Sequence, residues 1–169
     1  LRSQEIISAG LKRIAPEIPM LSEEAEAVPF EERRRWDWLW VVDPLDGTNN
    51  YAHGYPLFCV SIGFVVDRQP VVGVIYNPLL DELYTAEIGK GAFLNGLPIH
   101  ASETADLGSA LLASGFPYGV WNRPDDNLTE YQRLVKRAVS VRCDGCAAAD
   151  LIHTAAGRLD GYWEQEIEP

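Results

Sequence analysis

Positive charge is scarce in this chain: 14 Lys and Arg stand against 25 Asp and Glu in 169 residues, a formal net charge of −11. A nucleic-acid backbone is bound through a basic footprint, so nucleic-acid polymers are not expected partners. An anionic membrane surface is disfavoured on the same ground. Long apolar runs are also missing, none approaching the roughly 20 residues that a helical membrane span needs. No basic stretch followed by an apolar one marks a secretory leader. Cysteine occurs three times, an odd number that suggests no disulfide framework and makes a reducing cytoplasm the default compartment. The three histidines, His53, His100 and His153, are scattered. Internal repeats and low-complexity tracts are absent.

What the chain does have is apolar residues, 47% of the total with 10% aromatic. That is enough for a sizeable core but short for two complete domains. Its most informative stretch is Trp40-Val41-Val42-Asp43-Pro44-Leu45-Asp46-Gly47-Thr48. An apolar run delivers two carboxylates three positions apart, Pro44 denies the chain a helix before it, and Gly47 tolerates a turn that a side chain would obstruct. The acids can converge on one point with the Leu45 carbonyl between them, and hard divalent cations such as Mg²⁺ select such oxygens. Upstream lies a second acidic pair, Glu23-Glu24.

Taken alone, Asp-Pro and Asp-Gly read as turn caps; with Thr48 and Glu23 added, a metal-assisted phosphate site is the stronger reading. An EF-hand needs ligands at alternate positions, which a spacing of three does not provide. A phosphorylated-aspartate hydrolase would want its acids two apart. Cys143 and Cys146 have the CxxC spacing, but one pair cannot complete a tetrahedral zinc site unless distant histidines join it. Arg33-Arg34-Arg35 beside Glu31 and Glu32 reads as a solvated face rather than a phosphate site. Glu24 reads equally as a residue behind the site or as an exposed acid.

Four segments together, Leu21–Glu24, Trp40–Tyr51, Gly91–Gly96 and Gly157–Glu164, resemble the inositol monophosphatase superfamily of Mg²⁺-dependent, lithium-sensitive sugar-phosphate phosphatases. They keep the family's order and spacing over nearly the whole chain. Residues 1–40 resemble more the 3′(2′),5′-bisphosphate nucleotidase branch, and residues 49–56 inositol monophosphatase proper. The resemblance implies two or three Mg²⁺ ions, the first held by Glu23, Asp43 and the Leu45 carbonyl, with Asp46 bridging to a second. It implies that Glu23 and Thr48 orient and deprotonate the attacking water, with no covalent phosphoenzyme. The amides of Gly47 and Thr48 would face phosphate oxygens. Gly145, Cys146, Ala147 and Glu164 would contact substrate, as would Leu45 and Asp46. The family usually has Ser or Thr where Cys146 stands, and a thiol is the poorer donor. A further Asp ligand is expected beyond Pro169 and an acidic segment before Leu1, so the chain reads as a fragment lacking both ends.

Periodicity predicts a helix over residues 1–14, an extended segment at 19–22, an exposed connection over 23–35 and a buried strand over 38–42. A short helix is expected over 49–53, then an antiparallel meander from residue 57, in which Phe58, Val60, Ile62, Phe64 and Val66 alternate with smaller residues, with turns at Asp67–Pro70 and Asn77-Pro78 and hairpin signals at Gly89–Gly91 and Asn95-Gly96. Beyond a linker at 101–106, strands at 110–114, 139–142 and 159–164 alternate with helices at 128–138 and 147–156, which suggests a partly parallel second sheet. The expected fold is an α/β (α+β) layered sandwich of the sugar-phosphatase type. Residues 1–103 would form a metal-binding antiparallel-sheet domain with an N-terminal helix, and residues 104–169 a truncated mixed-sheet α/β domain. The expected partner is a small phosphorylated polyol, sugar or nucleotide, with a homodimer implied by the resemblance. Inositol phosphate leads as substrate, and a bisphosphate nucleotide or fructose bisphosphate follows. An inactive metal-binding scaffold of the same fold is the non-enzyme alternative.

Overall fold

A computed structural model of the chain describes residues 2–117, 119–122, 124 and 126–165. Leu1 of the expected first helix, parts of the 115–126 loop and the last four residues lie outside the described set. Helix α1 spans Arg2–Ile14 and buries Leu11. Strand β1, Met20–Ser22, follows and pairs in parallel with β2, Trp38–Asp46. Between them the exposed connection carries one short helix, α2 (Phe30–Arg33).

From β2 onward the first sheet is an antiparallel meander. Strands β3 (Cys59–Val66), β4 (Gln69–Asn77), β5 (Glu82–Glu87), β6 (Gly91–Leu94) and β7 (Leu97–Pro98) join in chain order into a seven-stranded sheet. Two hairpins close on paired positive φ angles, Asp67-Arg68 at 48° and 65° and Asn95-Gly96 at 48° and 81°. Two consecutive left-handed residues match the right-handed twist of the flanking strands. Trp40 stands opposite Phe64 in the register, their ring centroids 4.7 Å apart.

Strand β2 departs from expectation at both ends. Trp38 is 57% exposed, so the strand's start is not buried. Its far end runs through Pro44 to Asp46 instead of stopping at Val42. Proline gives no ladder hydrogen bond, and the pairing slips where it sits. Asp43 faces Ser61 while Asp46 faces Cys59, three steps on β2 against two on β3. That is a β-bulge of one extra residue.

The second sheet has three strands, β8 (Leu111–Ser114), β9 (Ser140–Arg142) and β10 (Gly161–Trp163), in the order β10-β8-β9 with both pairs parallel. Helix α3 is Thr48–Ala52, α4 Leu128–Val135 and α5 Ala147–Ala155. Buried Asn127 ties this unit together: its amide donates to the Ser114 hydroxyl (2.8 Å) and its carbonyl accepts the Trp163 indole N–H (2.7 Å). The Asp160 carboxylate accepts the amide of Leu111 at 2.6 Å, so β10 begins only after it.

Helix α5 joins the two sheets. Ala148, Ala149 and Ile152 pack with Cys59 of β3, Tyr84 of β5 and Cys146 in one buried cluster. The alanines let the helix backbone approach closely, and burying apolar surface in this way is the main stabilising term of the junction. No helix among the described residues is long and apolar enough to cross a membrane.

Candidate metal-phosphate site

Side chains alternate across a strand, so residues three apart on a regular β2 would point to opposite faces. The bulge at Pro44-Leu45 adds the odd residue that brings Asp43 and Asp46 back to one side. Both line a cavity of about 590 Å³ together with Glu23, Leu45, Gly47, Thr48, Gly145, Cys146, Ala147 and Glu164. Every site residue proposed from sequence therefore borders a single space. Glu24 is exposed and is not part of the lining.

Each acid is held differently. Asp43 accepts the Leu45 amide on Oδ1 at 2.9 Å, an Asx-type turn that supports the bulge. Burial pushes its carboxyl up to about 7 against the pull of that amide, and the negative charges of Glu23 and Asp46 raise it further. Asp46 reaches across to the second unit, where its Oδ2 accepts the Ala148 amide at 2.5 Å and the Cys146 thiol at 3.3 Å. An anion at the start of α5 is favoured by the helix dipole and by amides that have no partner within the helix. The Thr48 hydroxyl donates to the Leu45 carbonyl at 2.9 Å, which leaves that carbonyl a second lone pair.

Gly47 carries a φ of +86°, and a Cβ there would meet the Leu57 carbonyl at 3.0 Å and Cys146 Cβ at 3.3 Å. Both the turn and the close approach of α5 require glycine at this position. Cys146, 1% exposed, turns its thiol toward Asp46; its interaction with the neighbouring Cys59 thiol, with burial next, raises it well above its ordinary range. Cys143 is exposed and unbridged, so the CxxC spacing builds no joint site. Glu164 follows β10, accepts the Tyr162 hydroxyl and lies against Gly115, where any Cβ would strike its carboxylate.

Several lining residues escaped the sequence reading. Asn50 donates to the carbonyls of Leu57 (2.8 Å) and Asp144 (2.7 Å), linking α3 to the loop before α5 across 94 positions. Asp150, 2% exposed, is pushed up to about 7 by burial, then by the charges of Asp144, Glu164 and Asp46. Arg33 also lines the cavity, although its Arg-rich context read as solvated surface. No local pattern marks these three. His153 is half-buried on α5, its ring kept below the ordinary histidine value first by burial.

Oxygen donors dominate the lining, and five of its residues are carboxylic acids: Glu23, Asp43, Asp46, Asp150 and Glu164. Such donors fit a hard divalent cation; burial first, and then the charges of Glu23 and Asp46, keep the Asp43 carboxyl raised. Among the described residues no three His, Cys, Asp or Glu side chains close on one point as a finished ligand shell. Part of the reason is visible: Asp46 Oδ2 is turned onto the α5 amide.

An acid-lined cavity between a mostly antiparallel sheet and a smaller parallel one defines a layered α/β protein with hard-cation donors. Comparison with known proteins narrows the class. Residues 1–169 match the inositol monophosphatase family, and the chain belongs to that family. It is 44% identical over 168 residues to a protein named inositol-1-monophosphatase from Synechocystis sp., covering 99% of this chain and 58% of that one. It is 38% identical over 166 residues to one named Nus factor SuhB from Xylella fastidiosa, covering 98% of this chain and 58% of the relative. The structure of inositol monophosphatase from Anabaena (Nostoc) sp. superposes with a TM-score of 0.92 at 43% identity, over 98% of this chain and 65% of that one. The chain thus spans about three fifths of the length of the curated relatives it matches. The stretch that resembled the nucleotidase branch falls inside these matches.

Proposed function

We propose that the protein is a Mg²⁺-dependent phosphomonoesterase acting on a small polyol or sugar phosphate, with inositol monophosphate as the leading substrate. The observation that carries this reading is the β2 bulge, which sets Asp43 and Asp46 on one cavity with Glu23. Glu23, Asp43, Asp46 and the Leu45 carbonyl would hold the cation, two or three ions in all. When bound, it supplies positive charge that offsets the phosphate's and favours ionisation of a nearby water.

The chain's own residues supply the remainder. Glu23 and Thr48 orient the attacking water, and Glu23 takes its proton. Gly47 and Thr48 offer backbone amides to phosphate oxygens. Gly145, Ala147 and Glu164 border the alcohol side, where Glu164 accepts a substrate hydroxyl. Cys146 acts through Asp46, whose carboxylate its thiol touches. A cytoplasmic setting, which three free cysteines suit, and a homodimer, which the family resemblance implies, are part of this reading. A division near residue 103 into a metal-binding unit and a substrate-facing unit belongs to the same proposal.

The test is phosphate release by the natural full-length protein from inositol-1-phosphate, fructose-1,6-bisphosphate and adenosine 3′,5′-bisphosphate, with Mg²⁺, EDTA or Li⁺. Release from inositol-1-phosphate that requires Mg²⁺ and falls with Li⁺ is the expected result. No release from any of the three supports the scaffold reading instead.

A further inference from the structure

Arg33 is the one basic side chain among the described residues that line the site cavity, which also holds five acids. It closes helix α2 in the connection between β1 and β2, which forms one wall through Glu23, Ala25, Ala27 and Val28. Its neighbour Arg34 is occupied by a 2.9 Å ion pair with Glu31. Arg33 makes no such pair among the described residues, although Glu23, Asp43 and Asp46 share its cavity. Its Nε is buried from solvent and has no hydrogen-bond acceptor. The guanidinium carbon sits 5.8 Å from the centre of the Phe30 ring, which restricts where the group can swing.

An arginine in the wall of an acid-lined cavity, without an ion-pair partner among the described residues, offers a planar fork of donors that suits a phosphate or carboxylate. The acids of β2 stand beyond ion-pair reach, so the guanidinium does not duplicate their place in the cavity. An anionic group carried elsewhere on the substrate would fill the gap between them.

We propose that Arg33 is a specificity-determining residue that binds a second anionic group of the substrate, distinct from the ester that is hydrolysed. This rests on the phosphomonoesterase reading above and narrows its substrate class. Phosphate esters bearing an additional phosphate or carboxylate would gain affinity from Arg33 that inositol monophosphate does not.

The experiment uses the natural full-length protein as wild type, Arg33→Ala and Arg33→Lys. Steady-state kinetics are measured on inositol-1-phosphate, with one charged group, and on fructose-1,6-bisphosphate and adenosine 3′,5′-bisphosphate, with two. Calorimetry without turnover measures the affinity of adenosine 3′,5′-bisphosphate separately. The expected result is that Arg33→Ala raises KM for at least one bisphosphate about tenfold, with kcat and the inositol-1-phosphate KM changed less than about twofold. Arg33→Lys should recover part of the loss, because it keeps the charge without the fork. Equal changes on mono- and bisphosphates, or none, would overturn the proposal. If wild type hydrolyses nothing, the phosphomonoesterase reading fails alone; the calorimetry then decides for Arg33, equal binding by wild type and Arg33→Ala counting against it.

Discussion

Asp46 of the first sheet accepts the backbone amide of Ala148 in the first turn of α5 at 2.5 Å, across 102 positions of sequence. One carboxylate therefore borders the cavity and also fastens the helix on which the second unit leans. Function and stability should be coupled at this residue. Asp46→Asn keeps the size but removes the charge that the helix start favours, at a cost of about 1 kcal/mol in urea unfolding. Phosphate release should fall by on the order of 10²–10³, the scale of deleting one electrostatic element from a catalytic site.

Gly47 is constrained by both its conformation and its surroundings. Gly47→Ala places a Cβ at a φ of +86° and 3.0 Å from a carbonyl that belongs to the backbone. The strain alone is about 1–2 kcal/mol. A lower urea midpoint with an unchanged slope, together with weakened activity, is the expected outcome.

Cys146 offers a change in the opposite direction. Its thiol meets Asp46 Oδ2 at 3.3 Å, and a hydroxyl is the stronger donor to a carboxylate. Cys146→Ser should retain activity or raise it, and the melting temperature should move by only a few degrees. A loss of activity comparable to Asp46→Asn would show that the thiol does more than donate to Asp46.

Acid stability should carry the mark of Glu82 and Arg158. Their paired hydrogen bonds, 2.6 and 2.8 Å, hold the Glu82 carboxyl below its ordinary value of 4.5. The unfolded chain binds this proton more tightly, so the contribution is complete above pH 4.5 and disappears as pH falls through the lower folded value. The Arg158 side chain is 42% exposed, so the pair is worth no more than about 1 kcal/mol. Arg158→Ala should lower stability at neutral pH and flatten its dependence below pH 4.5, as read from urea midpoints across pH 3–7.

Much of this was legible in the sequence. Alternation of Val60, Ile62, Phe64 and Val66, a turn expected at Asp67–Pro70 and the Asn95-Gly96 signal announced the meander, because strand period and hairpin turns are local properties; the structure narrows the first turn to Asp67-Arg68, with Gln69 and Pro70 already in β4. The Asp-Pro-Leu-Asp-Gly-Thr block disclosed the donors. The exposure of Trp38 was not legible, since burial depends on which neighbours cover a strand's end. Arg33 was misleading: three arginines beside two glutamates read as solvated surface, yet one of them turns inward.

By itself, the sequence determined the order of elements, the hairpins, the chemistry of the acids and the need for glycine after Asp46. Only the tertiary structure decided that a bulge at Pro44 returns both aspartates to one face, that Asp46 is tied to α5, and that Asn50 bridges to Asp144. The physical reason is that donor types and strand periods are written residue by residue. Register shifts and contacts spanning about a hundred positions are settled only when two sheets and the helix between them bury their apolar faces together.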